Sequence, residues 1–305
     1  MVSLKNVCKD YSGQQVLKNI NFELGPGQVH GFLGPNGAGK TTTLNIIAGL
    51  LVPSEGEVQL FGSTDLNSQQ HRLGVLPEKI PLYGDLRVEQ YLTFVAKLRG
   101  LENQQLSENL EQVLSDLALQ SVRQRIIQNL SKGYRQRVAI AQTLMGNPDL
   151  IILDEPTVGL DPHSLVEIRA LIKRLAVNHT LIFSSHQLSE VQNVATHISL
   201  IQNGELLVSG AIEQVLAAQE GQSCFEIQLA FWQDEFAQLL DSAQSCLKWN
   251  RIDAGVEVWL TKAAESQKLL AHLVKQELPV QQIKEKTMDL ESFFISLTGR
   301  GEADA

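Results

Sequence analysis

The chain has 305 residues, 43% of them hydrophobic and 19% charged, with a formal net charge of -9. That length and balance suit a globular protein of one large domain with a smaller companion, and the acidity argues against a broad nucleic-acid surface or electrostatic attachment to anionic lipid. Its three cysteines, Cys8, Cys224 and Cys246, are odd in number and far apart, which implies neither a disulfide framework nor a metal knuckle and suits a reducing cytoplasm.

In chain order, Val2/Leu4 and Phe22/Leu24 predict short strands, broken at Ser12-Gly13 and Gly25-Pro26-Gly27. Met1 to Val7 lacks the basic-then-apolar order of a signal peptide. Val29 to Leu33 predicts a buried strand that runs into a glycine-rich loop, and a helix is expected over Thr41 to Leu50. Val58 to Phe61 reads as another strand. Residues 86–129 read as largely helical, with Leu92, Val95 and Leu98 at three-to-four spacing. Leu150 to Leu153 and Leu181 to Ser184 are apolar runs of the buried parallel-strand kind. The alternation predicts an α/β fold, a parallel sheet flanked by helices over residues 1–215, with a helical insertion at about 84–135. No apolar run approaches the roughly 20 residues of a membrane-spanning helix. Any service to a membrane is therefore expected to run through a partner.

A small α+β domain is expected over residues 216–305. Phe225 to Leu229 and Val256 to Leu260 alternate as half-buried strands do. A helix carrying Leu269, Leu270 and Leu273 follows, then a strand over Pro279 to Lys284, then a helix over Asp289 to Leu297 capped by Asp289. The order strand, helix, strand, strand, helix, strand is the split βαβ pattern.

The chemistry begins at Gly34-Pro35-Asn36-Gly37-Ala38-Gly39-Lys40-Thr41, which matches the phosphate loop G-x-x-x-x-G-K-[ST] between a strand and a helix. Glycines let backbone N–H groups turn toward phosphates, and the helix adds its positive end. Lys40 offers a charge to the β- and γ-phosphates and Thr41 a hydroxyl to Mg²⁺. Downstream, Leu150-Ile-Ile-Leu ends in Asp154 and Glu155. Asp154 would orient Mg²⁺, and Glu155 would accept a proton from the attacking water.

With Leu130-Ser131-Lys132-Gly133-Tyr134-Arg135-Gln136 between them, these motifs resemble the ABC (ATP-binding cassette) ATPases. The family signature is usually Leu-Ser-Gly-Gly-Gln, so this chain departs at Lys132 and Tyr134. The resemblance covers residues 1–215. It implies a P-loop NTPase (RecA-like) core with an N-terminal antiparallel β subdomain, and a nucleotide set extending to Thr42. It also implies that Ser131 and Gly133 face the ATP of a second copy in a homodimer. Tyr11 lies where the family stacks a ring on adenine. Val158-Gly159-Leu160-Asp161-Pro162 resembles the family's interface loop, and His186 the histidine that contacts the γ-phosphate. Glu78 falls where the family usually has a magnesium-binding glutamine. The tail, Asp289 to Gly299, is similar to the end of ATPases serving type-2 export permeases. The implied function is ATP hydrolysis driving a transmembrane permease, from the inner face of the cell membrane, with ATP and Mg²⁺ as cofactors and no nucleic-acid partner. An ABC protein that moves no cargo is less well matched, since ribosome-acting members typically carry two cassettes and repair members carry heptad arms or zinc hooks. A GTPase or small-molecule kinase would leave the signature unexplained, and no Asn-Lys-x-Asp motif occurs.

Overall fold

The structure, a computed structural model, describes residues 1–217, 223–232, 237, 240, 246–252, 255–260 and 280–286. The chain divides into two compact units, Met1–Ile212 and Glu213–Ala305.

The first unit opens with β1 (Val2–Tyr11) and β2 (Gln14–Leu24), followed by β3 (Val29–Leu33), α1 (Lys40–Ile47) and β4 (Glu55–Leu60). β2, β1 and β4 pair antiparallel in that order. Both opening strands are longer than their apolar residues alone suggest. Polar residues occupy the outward face, while Val2, Leu4, Val7, Leu17, Ile20, Phe22 and Leu24 point inward. That inward face shares one core with Leu44, Ile46 and Ile47 of α1 and with Phe32. Burial of such side chains contributes about 1.5–3 kcal/mol each.

Next come α2 (Leu66–Gln69) and β5 (Leu73–Leu76), then α3 (Val88–Leu98), α4 (Asn103–Asp116) and α5 (Lys132–Leu144). The helical insertion is thus two helices and two short 3₁₀ turns, at Gln120–Val122 and Ile127–Asn129, with Gly100 (φ 79°) ending the first helix. β6 (Leu150–Leu153) leads to α6 (Pro162–Leu175), β7 (Thr180–Ser185), α7 (Leu188–Val194), β8 (His197–Gln202), β9 (Glu205–Ala211) and α8 (Ile212–Ala217). The start of α6 is well specified. Asp161 caps it by accepting from the Ser164 N–H, and Pro162 stands at its first position. Ile168, Leu171, Ile172 and Leu175 then bury one stripe.

The main sheet has six strands in the order β5-β6-β7-β3-β8-β9. All neighbours are parallel except β8 and β9. Ligands of such sheets gather beyond the carboxyl ends of the strands. Here β5, β6, β7 and β3 lie side by side and end, respectively, before Glu78, Asp154, His186 and the glycine-rich loop.

Behind that site, His30 of β3 is almost wholly buried. Its Nε2 lies 2.8 Å from Ser199 Oγ, and Phe22 meets its ring edge-on at 4.9 Å. Burial, with a smaller contribution from His197, lowers its pKa to about 3 from 6.5. Well above pH 6.5 the ring is neutral in both folded and unfolded chains and leaves stability independent of pH. Between 6.5 and 3 the unfolded chain binds a proton that the folded chain refuses, so stability falls as pH falls, by up to about 1.4 kcal/mol per pH unit. His30→Gln removes this titration. Its thermal midpoint is expected to drop less than that of the parent between pH 7 and pH 5, as a calorimetric melt at each pH would measure.

In the second unit, β10 (Ser223–Leu229), β11 (Cys246–Ile252), β12 (Gly255–Leu260) and β13 (Val280–Lys286) form an antiparallel sheet in the order β11-β12-β10-β13. That is the strand order of the split βαβ pattern, with the second strand located at Cys246–Ile252. Phe225, Ile227, Leu229, Val256, Val258 and Leu260 form its core. The helices expected around Leu269 to Leu273 and over Asp289 to Leu297, and the tail to Gly299, lie outside the described residues.

Candidate active site

The glycine-rich loop leaves β3 and closes onto α1 at Gly39, whose φ is 111°. A Cβ there would sit 2.5 Å from Leu17 Cδ2, so both the conformation and the space require glycine. No side chain caps α1. Its first-turn N–H groups are thereby left to an anion, which the helix dipole also favours.

Lys40, the first residue of α1, is 6% exposed. Its Nζ donates to the Gly34 carbonyl at 2.8 Å and to the Pro35 carbonyl at 3.3 Å. It also lies 3.3 Å from Glu155 Oε1, an ion pair whose angle leaves that buried oxygen without a proper hydrogen bond. The other Glu155 oxygen, Oε2, meets His186 Nδ1 at 2.9 Å. The phosphate-loop lysine, the strand-end glutamate and the histidine therefore form one line of contacts.

Glu155 has φ 48°, a left-handed conformation uncommon for a residue with a Cβ. Such strain persists only where neighbours fix it. Ser184 Oγ accepts the Glu155 N–H at 2.8 Å and donates its own proton to Asp154 Oδ1 at 2.5 Å. Asp154 is buried, and its N–H donates to the Leu76 carbonyl at 2.9 Å. On the far side of Glu155, Gln136 Nε2 donates to the Pro156 carbonyl at 2.6 Å.

These groups border a cleft of about 660 Å³ lined by Tyr11, Val16, Asn36, Gly37, Gly39, Lys40, Thr41, Thr42, Glu78, Glu155, Val158 and His186. Tyr11 is 45% exposed at its mouth, with Lys9 Nζ 5.3 Å from the ring centroid. Glu78 is exposed, just past Pro77 and the end of β5. Gly34, Pro35 and Ala38 lie behind the lining, where the two carbonyls hold Lys40. Asp154 also lies off the lining, under Ser184. Ser131 and Gly133 are not part of this cleft. Ser131 caps α5 by accepting the Tyr134 N–H at 3.3 Å. The motifs do not include Val16 or give a role to Ser184, and Gln136 closes the signature stretch without a role assigned to it. Two serines ending the apolar run Leu181-Ile-Phe are the one sequence signal for Ser184, since hydroxyls on a fully buried strand need partners.

A phosphate loop beside a strand-end glutamate and histidine, at the carboxyl edge of a parallel sheet, defines a nucleoside-triphosphate hydrolase of the α/β class. Residues 17–158 match the family described as ABC transporter. Bacitracin transport ATP-binding protein BcrA of Bacillus licheniformis is 30% identical over 306 residues, covering 99% of this chain and 98% of that protein. Nod factor export ATP-binding protein I of Cupriavidus metallidurans is 31% identical over 308 residues, covering 100% and 99%. A dimeric structure of the ATP-binding cassette MJ0796, in a post-hydrolysis state bound to ADP and Pi, matches with TM-score 0.63 at 28% identity, covering 69% of this chain and 98% of that one. The chain belongs to the ABC transporter ATP-binding proteins. It is an ATP-binding and ATP-hydrolysing subunit. Among the described residues no helix is long and apolar enough to cross a membrane.

Proposed function

We propose that this subunit drives export through a separate membrane permease, docked at the inner face of the cell membrane, by closing with a second copy of itself around two ATP molecules. The observation that carries the reading is the split of the nucleotide contacts. The cleft holds the phosphate loop, Glu155 and His186, while Ser131 and the start of α5 stand outside it, free to meet a partner's nucleotide. The relative named for Nod factor export supports the export direction, and the one named for bacitracin transport supports a transport role.

In this reading Gly34 to Thr42 wrap the phosphates, with Lys40 against the β- and γ-groups, and Tyr11 stacks on the base. Glu155 takes a proton as water attacks the γ-phosphorus and the bond to ADP breaks. His186, oriented through Nδ1, keeps its Nε2 for the γ-phosphate. Thr41, Asp154 and Glu78 offer only oxygen donors, the set a hard divalent ion takes. Among the described residues no cluster of three or more His, Cys, Asp or Glu could hold a metal alone. Phosphate oxygens and water would complete such a shell, as Mg²⁺ sites in nucleotide enzymes do. When bound, Mg²⁺ neutralises charge developing on the phosphates.

The helical insertion supplies the lever. Leu98 is 72% exposed and borders a groove of about 370 Å³ with Leu50, Leu73, Val75 and Arg99. Gln70 and His71 also line it, so the groove offers a permease both apolar and polar contacts, and it adjoins the β5 strand that leads to Glu78. Closure is a population shift, limited by how much better ATP binds the closed pair.

The deciding experiment is complementation. Ser131→Arg blocks the outward contact but spares its own phosphate loop, and Lys40→Ala does the reverse. Each alone is expected to be inactive, and their mixture to regain about one working site per heterodimer. Normal hydrolysis by Ser131→Arg alone would sink the two-copy reading. Glu78 is expected to tune the metal rather than take the proton. Both carboxylate and amide offer an oxygen, so Glu78→Gln retains hydrolysis within about tenfold while needing more Mg²⁺ for half its rate. Titration of rate against Mg²⁺ reads this directly, and a Glu78→Gln enzyme as dead as a base mutant would reassign the base.

A further inference from the structure

The loop after β6 is fastened to α5 by a side chain that the proposed chemistry does not use. Gln136 is 7% exposed, and its amide holds the Pro156 carbonyl at 2.6 Å. Pro156 has no N–H of its own, so its carbonyl is the point at which α5 takes hold of the backbone next to the strained Glu155, whose own carbonyl accepts the Val158 N–H at 3.3 Å. On the other side the Glu155 N–H is held by Ser184. Glu155 is thus gripped from β7 before it and from α5 after it.

The start of α5 also lies close against the start of α6. A Cβ on Gly133 would fall 2.5 Å from Ser164 Oγ, and Ser164 is in turn bound by Asp161 through both its N–H and its hydroxyl. Gln136 lies five residues beyond Ser131 on one continuous helix, a rise of about 7.5 Å. A tilt of the first turn of α5 therefore reaches the Pro156 carbonyl, and through it the Glu155 carboxylate.

We infer that Gln136 is a positioning residue for Glu155 of its own chain, holding the backbone just past the base from α5. The inference rests on the two-copy reading above. In a closed pair, a chain's Ser131 faces the partner's ATP while its Glu155 serves its own. A displacement near 1 Å at a reacting group can cost about 10²-fold in rate, so loss of this one tether has room to act.

The mixed pair separates the possibilities. In the Ser131→Arg/Lys40→Ala heterodimer the working site uses the phosphate loop and Glu155 of the Ser131→Arg chain, and Ser131 of the other. Gln136→Met keeps the side-chain length and removes the donor. Placed in the Ser131→Arg chain, it is expected to lower turnover about tenfold with the half-saturating ATP concentration unchanged. Placed in the Lys40→Ala chain, it is expected to lower turnover less than about twofold. Equal losses in both placements, or a loss confined to the Lys40→Ala chain, would overturn the inference, since Gln136 would then serve only to hold α5 in place. A thermal melt of each chain checks folding. If Gln136→Met does not fold, Gln136→Asn, a methylene too short to reach, is read in the same way. A parent pair with no activity overturns the two-copy reading and this inference with it, and that outcome is recognised before Gln136 is changed.

Discussion

Glu155→Gln protein is expected to bind ATP and to turn it over about 10²–10⁴-fold more slowly, the usual worth of a general base. The amide matches the carboxylate in shape but cannot take the proton of the attacking water. The fold should tolerate the change, because Lys40 keeps its Gly34 and Pro35 carbonyl acceptors and the Glu155 N–H keeps Ser184. Without hydrolysis to reopen it, the closed pair should persist, and gel filtration with ATP should show a stable dimer that the parent lacks. The His186 contact sharpens the expectation. His186 Nδ1 now faces Glu155 Oε2 at 2.9 Å, and an amide at 155 can present either an oxygen or an NH₂ to it. A near-parental rate would remove Glu155 from the role of base and direct attention to His186.

Lys40→Ala is expected to lose ATP affinity by about 10–100-fold, the equivalent of one charge-assisted hydrogen bond of about 1.5–3 kcal/mol. The structure adds a second consequence. Lys40 lies 3.3 Å from Glu155 in a site where the two side chains are 6% and 8% exposed. Removing the lysine leaves a nearly buried carboxylate facing the cleft beside His186, and an incoming triphosphate meets that charge unscreened. The Lys40→Ala/Glu155→Gln double variant should therefore bind ATP better than Lys40→Ala alone. Calorimetric titration of the single and double variants at fixed Mg²⁺ measures both effects. Unchanged affinity in Lys40→Ala would mean that the loop is not the nucleotide site.

Much of the site was legible because its parts are local in sequence. The phosphate loop, the Asp154-Glu155 pair and the strand-end His186 each announce themselves within a few residues, and the parallel sheet then brings their strands together. What could not be read is what acts across distance. Ser184 and Gln136 hold Glu155 from strands and helices far off in the chain, and a serine or glutamine alone carries no signal of its partner. The β1–β2 hairpin extends beyond its apolar ends because polar residues complete the outward face, which hydrophobicity does not mark. Residues 86–129 read as largely helical and are so, but where the segment divides was not legible: Gly100 ends the first helix and two 3₁₀ turns follow the second. β11 went unlocated within the split βαβ order because Cys246-Leu-Lys-Trp-Asn-Arg-Ile mixes polar with apolar residues.

The position of β3 bears on how the protein is made. The strand that carries the phosphate loop pairs with β7 on one side and β8 on the other, and both arrive long after it on the ribosome. Until Thr180–Ser185 and His197–Gln202 have emerged, the Val29–Leu33 backbone has no hydrogen-bonding neighbours in its sheet. A nascent chain halted near Asp154 would hold the loop and the carboxylates yet no assembled nucleotide site. Its two bare strand edges would invite pairing with other chains. Arrest of synthesis after β6 should therefore give aggregation-prone fragments that do not bind ATP, and release after β8 should give the first chains that do.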